Sequence, residues 1–164
     1  MTPTPNSLLR LRKHADYQRV YKAGRKQFAK QMSFFYTVRP QVGADGAPLR
    51  GADNSSPRVG LTVGKVMGKA VDRNRIKRRM REAVRKNLSL LRMPVDVVLH
   101  PRRSVIDLEW GALEREVAAV FRTIQRTIQK GLAGTAEPVQ RNDGERTASQ
   151  PPSANTLATT PRPQ

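Results

Sequence analysis

The sequence predicts an α+β fold, a small mixed sheet of about four strands with three helices packed on it. Three observations lead there. Runs with strand composition, β-branched and aromatic, recur at Met32–Val38, Arg58–Gly64 and Pro94–His100. Apolar residues at i, i+3 and i+4 mark helices before, between and after those runs. The resulting order, helix, strands, helix, strand, helix, suits helices layered against a single sheet.

Tyr17, Val20 and Tyr21 place three apolar groups on one face of a helix over residues 13–22, and Gly24 stops it. Arg25 to Ala29 adds a brief strand ahead of Met32–Val38, which Pro40 closes. The strand at Arg58–Gly64 leads into a helix from Ala70 to Leu91. On it Ile76, Met80, Ala83, Val84 and Leu91 fall within about 100° of one another, with Arg75, Arg78, Arg81 and Arg85 on the opposite side. Asp72, at this helix's N-terminus, is placed to act as a favourable cap. After the strand at Pro94–His100, a last helix is expected from Leu108 to Gln129, capped by Asp107. Its stripe is Trp110, Leu113, Val117, Val120, Phe121, Ile124 and Ile128.

Apolar residues make up 37% of the 164, a low share for a compact globule, and the shortfall is local. Residues 40–57 and 131–164 are rich in Gly, Pro, Ala, Asn, Asp, Ser and Thr. The sequence therefore predicts a folded domain at 8–130 with a flexible insertion at 40–57, a flexible N-terminus at 1–7 and a disordered tail at 131–164. Arg141, Arg146 and Arg162 of the tail are read as solvated.

Charge is the strongest functional signal. The net charge is +18, and between Arg58 and Lys86 eleven Lys or Arg face only Asp72 and Glu82, so half of that excess sits on 29 residues. Like charges at i, i+3 and i+4 repel, so such a face needs a polyanion beside it. Arg outnumbers Lys there (73, 75, 78, 79, 81, 85), which suits forked bonding to phosphates and stacking on bases. A membrane surface is the weaker reading, because the helix lacks a wide Trp, Phe and Leu face. Leu8, Leu9 and Leu11, broken by Arg10 and Arg12, are too short and too charged for a signal core or a span, and a cytoplasmic location is expected.

Chemistry by the chain itself is poorly supported. There is no cysteine, His14 and His100 are the only histidines, and no metal, nucleophile or phosphate-loop motif is present. His100 reads as structural or phosphate-facing. Gly60, Gly64 and Gly68 read as close packing and the loop into the basic helix. The aromatics divide between core and platform: Tyr17 and Tyr21, flanked by Arg19, Lys22, Arg25 and Lys26, suit stacking of unpaired bases as well as burial.

Arg58-Val59-Gly60-Leu61-Thr62-Val63-Gly64-Lys65, followed by Ala70-Val71-Asp72-Arg73-Asn74-Arg75-Ile76-Lys77-Arg78, closely resembles the bacterial ribonuclease P protein subunit. Asp16 to Gly24 is similar to that family's first helix, and Val97-Val98-Leu99 before Pro101-Arg102 to its last strand and turn. The likeness covers about residues 8 to 128. It implies an α/β sandwich with a left-handed βαβ crossover, against the usual handedness. It also implies a catalytic RNA subunit with Mg²⁺ that cuts precursor tRNA at the mature 5′ end, while the protein binds that RNA and the 5′ leader. No cofactor on the protein and no obligate protein partner are implied. By matching position, Arg73, Asn74, Arg75, Lys77, Arg78 and Arg81 become RNA-subunit contacts. Tyr17, Tyr21 and Phe35 become the aromatic wall of the leader cleft, with Lys65 and Lys69 nearby; Phe34 or Tyr36 replaces Phe35 if the strand shifts by one residue. The rivals are a ribosomal or assembly RNA-binding protein without a part in cleavage, and a DNA-binding module that reads a major groove.

Overall fold

The computed structural model describes residues 10–48 and 55–133. The expectations for residues 1–7, for the middle of the 40–57 insertion and for the tail beyond residue 133 lie outside the described residues. In chain order the elements are α1 (His14–Ala23), β1 (Arg25–Phe28), β2 (Met32–Val38), β3 (Arg58–Leu61), α2 (Ala70–Asn87), β4 (Val95–Pro101) and α3 (Trp110–Ala133). Short 3-10 turns lie at Lys65–Met67, Leu88–Leu90 and Arg103–Ile106. The sheet order is β1-β2-β4-β3, antiparallel except for the β3–β4 pair, which is parallel and joined through α2. This is the α+β architecture the sequence predicts.

β4 is central and covered on both faces, which explains its nearly unbroken apolar run: Val95, Val97, Val98 and Leu99 are all fully buried. Alternation then sorts β2. Phe34 and Tyr36 point to the side where Met32, Val59, Val97 and Leu99 meet Ile76, Met80 and Ala83 of α2 and Leu113, Val117, Phe121 and Ile124 of α3. Phe35 points the other way, toward Leu11, Val20 and Val98 under α1. The register, Phe35 opposite Val98 and Lys26, settles which of the three aromatics shares a face with α1.

Two boundaries are shorter than expected. β3 stops at Leu61, not Gly64: its last ladder bond runs from Thr62 N to Leu99 O, and the chain then turns through Lys65–Met67. The basic helix ends at Asn87, not Leu91. The Asn87 side chain donates back to the Ala83 carbonyl at 2.8 Å, and a 3-10 turn carries the chain on to Leu91. The last helix starts later and runs longer than expected. Asp107 and Leu108 still belong to the turn closed on Ser104 O, so the cap is Glu109, whose carboxylate accepts from Gly111 N and Ala112 N at 2.8 Å each. Asp72 sits in the first turn of α2 but makes no capping hydrogen bond there; its benefit is the charge against the helix dipole.

A second, polar core joins α1 to the sheet. Asp96 is 0% exposed, and Arg58 grips it twice, Nε to Oδ1 at 2.9 Å and Nη2 to Oδ2 at 2.7 Å. Arg39 Nε reaches Oδ1 at 3.2 Å and Arg19 Nη2 reaches Oδ2 at 2.9 Å, while Asp16 bonds Arg19 and Arg58. Arg19 and Arg58, which the sequence presents among the cations open to a partner, are thus engaged inside the protein.

Gly60 is fixed by a close approach. A Cβ there would meet the Tyr17 ring at 2.7–2.8 Å, so the strand accepts Tyr17 flat against it only without a side chain. Gly60→Ala is expected to cost about 1–3 kcal/mol, read as a lowered midpoint in urea unfolding, because the ring is also held by its hydroxyl bond to Leu11 O and by packing on the cluster of Leu11, Val20 and Val98. An unchanged midpoint would mean that the ring yields freely.

Candidate nucleic-acid interface

The 18 residues of α2 place its cations by period alone. Ile76, Met80 and Ala83 are buried, which turns Asn74, Arg75, Arg78, Arg81 and Arg85 outward, all exposed, with Arg73 and Lys77 half-buried at the flanks. Among the described residues, no carboxylate lies within ion-pair distance of Arg73, Arg75, Lys77, Arg78 or Arg81. Nε of Arg73 is buried without a hydrogen-bond partner among them. Five guanidinium or ammonium groups on one helix with nothing to neutralise them form a polyanion surface.

Three other basic residues of this helix have different duties. Arg85 is bonded by Glu82, Nε to Oε2 at 3.0 Å, and that bond holds the Glu82 carboxyl below its ordinary value. Lys86 pairs with Glu114 at 2.7 Å and lies over the Trp110 ring. Arg79 donates to the carbonyls of Ile106 and Leu108, clamping the turn before α3. The expectation that Arg79 shares the nucleic-acid face is corrected: its guanidinium is committed to those two carbonyls inside the protein.

A groove of about 400 Å³ runs between α2 and the edge of β3, floored by Val59, Leu61, Val84 and Leu88 and rimmed by Arg10, Arg78, Arg81, Arg85 and Glu82. Arg10 reaches it because Arg10 bridges Val59 and Leu11 N donates to Val59 O, laying the N-terminal segment along the strand edge. Burial first, and then the like charge of Arg10, lower the pKa of Arg81. The one carboxylate of the groove, Glu82, is taken by Arg85, so Arg10 and Arg81 held together favour an anion between them.

The aromatic residues gather on the α1 face of the sheet. Tyr21 meets Phe35 edge-on with centroids 5.0 Å apart, and His100 packs on both, 5.7 Å from Tyr21 and 5.6 Å from Phe35. The Tyr21 hydroxyl lies 3.1 Å from Thr62 Oγ1 and 3.2 Å from His100 Nε2. Burial, followed by the charge of Lys26, lowers the His100 pKa, so the imidazole is neutral near pH 7. Neither His100 nor Thr62 is expected in this patch from the sequence; the one signal for it is the alternation that puts His100 on the side of Val98 once β4 is placed.

Tyr17 is placed differently from Tyr21. Its ring lies on Gly60, its hydroxyl donates to Leu11 O at 3.3 Å, and burial raises its pKa while Arg10 and Arg81 act against the rise. It stands between the patch and the groove and lines neither fully. Lys65 and Lys69 are exposed on the segment that carries the chain from Thr62 to α2, beside the patch in sequence. Among the described residues no group of three or more His, Cys, Asp or Glu is placed to hold a metal ion, and no helix is long and apolar enough to cross a membrane.

The sequence matches the family model described as Ribonuclease P over residues 6–125. It is 33% identical to the ribonuclease P protein component of Finegoldia magna over 115 residues, covering 70% of this chain and 88% of that one. The Brucella melitensis component is 32% identical over 145 residues, covering 88% of this chain and 90% of its own. Among solved structures, the Staphylococcus aureus RNase P protein at 2.0 Å superposes with a TM-score of 0.56 at 25% identity, over 71% of this chain and 95% of that one. The Thermotoga maritima RNase P protein, at 21% identity and a TM-score of 0.54, shares the fold over 70% of this chain and 96% of its own. By sequence and by fold, this chain belongs to the ribonuclease P protein family, the protein components of a ribonucleoprotein endoribonuclease.

Proposed function

We propose that this chain binds a catalytic RNA subunit through the outward face of α2 and holds the 5′ leader of precursor tRNA on the aromatic patch, promoting 5′-end maturation of tRNA in the cytoplasm. The observation that carries the reading is the pairing of two surfaces: Arg73, Arg75, Lys77, Arg78 and Arg81 on α2, with no carboxylate within ion-pair distance among the described residues, and an aromatic cluster beside α1 that is only partly covered. Bond cleavage is assigned to the RNA with Mg²⁺. The chain's own part is to lower repulsion between two polyanions and to place the leader, so that the scissile phosphate sits where the RNA's ions are needed.

The test is reconstitution. Purified protein added to a bacterial ribonuclease P RNA at low Mg²⁺ is expected to restore a precise 5′ cut on precursor tRNA. RNA binding without that gain would favour a ribosomal or assembly role, and tight preference for duplex DNA a groove-reading role.

Tyr21→Ala separates the two surfaces. It should weaken holoenzyme binding of precursor tRNA by about five-fold or more, the lower end of a base-stacking contact, and leave mature tRNA nearly unchanged. Equal losses on both substrates would remove the leader from the patch. Tyr21 is the cleaner probe than Tyr17, whose ring also packs on Gly60.

A further inference from the structure

We propose that Phe28 and Lys26, on the edge strand β1, form a second stacking subsite that takes one further unpaired nucleotide of the leader, next to the Tyr21–Phe35–His100 patch. This rests on the leader reading of that patch. The base would lie on the Phe28 ring and its phosphate would meet the Lys26 ammonium.

Register places the subsite. Phe28 stands opposite Ser33, which stands opposite His100, and Lys26 stands opposite Phe35, so Phe28, Lys26, Phe35 and His100 share one sheet face. Phe28 is the diagonal neighbour of Phe35, about 7–8 Å away across the strand pair. Lys26 joins the two places: its Nζ lies 5.1 Å from the Phe28 ring centroid, and its charge contributes to the lowered pKa of His100.

Phe28 is also unexplained by packing. It is 68% exposed on an edge strand, while every other phenylalanine of the chain is at least half covered or buried within a core cluster. Lys26 beside its ring is exposed, as are Lys22 and Lys30 nearby in the chain, and none of the three is paired with a carboxylate among the described residues. A flat apolar ring among unneutralised cations suits a ligand with a π face and a negative charge. A second copy of the chain would bring the same cations against themselves, because a two-fold contact is built from one patch repeated.

The experiment measures holoenzyme affinity for precursor tRNAs whose leaders grow in single steps from about two to about ten nucleotides, a span comparable to one single-strand site. Wild-type affinity should rise in two stages, and Phe28→Ala should remove only the later one, a loss of about five-fold on long leaders and none on the shortest or on mature tRNA. Phe28→Trp should keep the second stage, and Lys26→Ala should lower the salt slope on long leaders alone. The inference fails if Phe28→Ala matches wild type at every leader length. It fails equally if the variant loses affinity for mature tRNA to the same extent, or if its only effect is on sedimentation as a self-associated species. Loss of leader dependence in Tyr21→Ala but not in Phe28→Ala would leave the first patch standing and remove the second. Retained leader dependence in Tyr21→Ala would remove the reading on which both depend.

Discussion

Replacing Arg75 and Arg78 together by Ala is expected to weaken assembly with the RNA subunit by roughly ten- to hundred-fold for each arginine, the span of a charge-assisted hydrogen bond worth about 1.5–3 kcal/mol. Both side chains are exposed on α2 and neither is near a carboxylate among the described residues, so removing them breaks no ion pair within the fold. The diagnostic is the salt dependence. For each phosphate the variant no longer neutralises, the log-log slope of affinity against salt should fall by about 0.7 to 0.9, whereas a folding defect would lower the bound fraction without changing the slope. Arg79→Ala is the internal contrast. Its guanidinium holds the carbonyls of Ile106 and Leu108, so its removal should appear in thermal stability before it appears in the salt slope. Titrations across a range of salt, with unfolding curves for each variant, would separate the cases; an unchanged slope in the double variant would remove phosphate contact from these two residues.

That contrast shows where the sequence is readable and where it is not. The helices and strands follow from periods of 3.6 and 2, which are local, and α1, β2 and β4 lie within a residue or so of where those periods put them. The outward arginines of α2 follow from the same local rule, because Ile76 and Met80 fix which side is packed. Arg79 breaks the reading, because its angle from Ile76 is the same as that of Arg73 and charge counted along the chain does not tell the two apart. The partner it needs, a pair of carbonyls nearly thirty residues away, is visible only after α3 docks. The same holds for His100 and Phe28, whose place beside Phe35 depends on two strand pairings, β1 with β2 and β2 with β4, that no local pattern encodes. Element boundaries move for a related reason: side-chain to backbone bonds at Asn87 and Glu109 decide the ends of α2 and α3.

The least legible feature has the largest predicted effect on stability. Asp96→Ala is expected to destabilise the fold by about 3–5 kcal/mol, because it leaves the guanidinium groups of Arg58 and Arg39 facing one another where a carboxylate had neutralised them. Little of this comes from Arg19, whose side chain is 48% exposed and whose pairing water largely screens. Urea unfolding of the protein alone, at fixed pH and salt, would measure it. A loss below about 1 kcal/mol would mean that solvent reaches the site and the network is ornamental to folding. The coupling is separable as well: once Asp96 is gone, a further Arg58→Met change should cost less than it does in the wild-type protein, or even stabilise, since the second substitution removes the orphaned charge that the first created. The network also bears on RNA binding. β4 runs through the middle of the sheet, with Asp96 at one end of the face that carries His100 at the other. In tying α1 to that strand, the arginines on Asp96 and Asp16 hold Tyr17 and Tyr21 against the sheet. Asp96→Ala should therefore loosen leader discrimination while leaving the salt slope set by α2 intact in the molecules that remain folded.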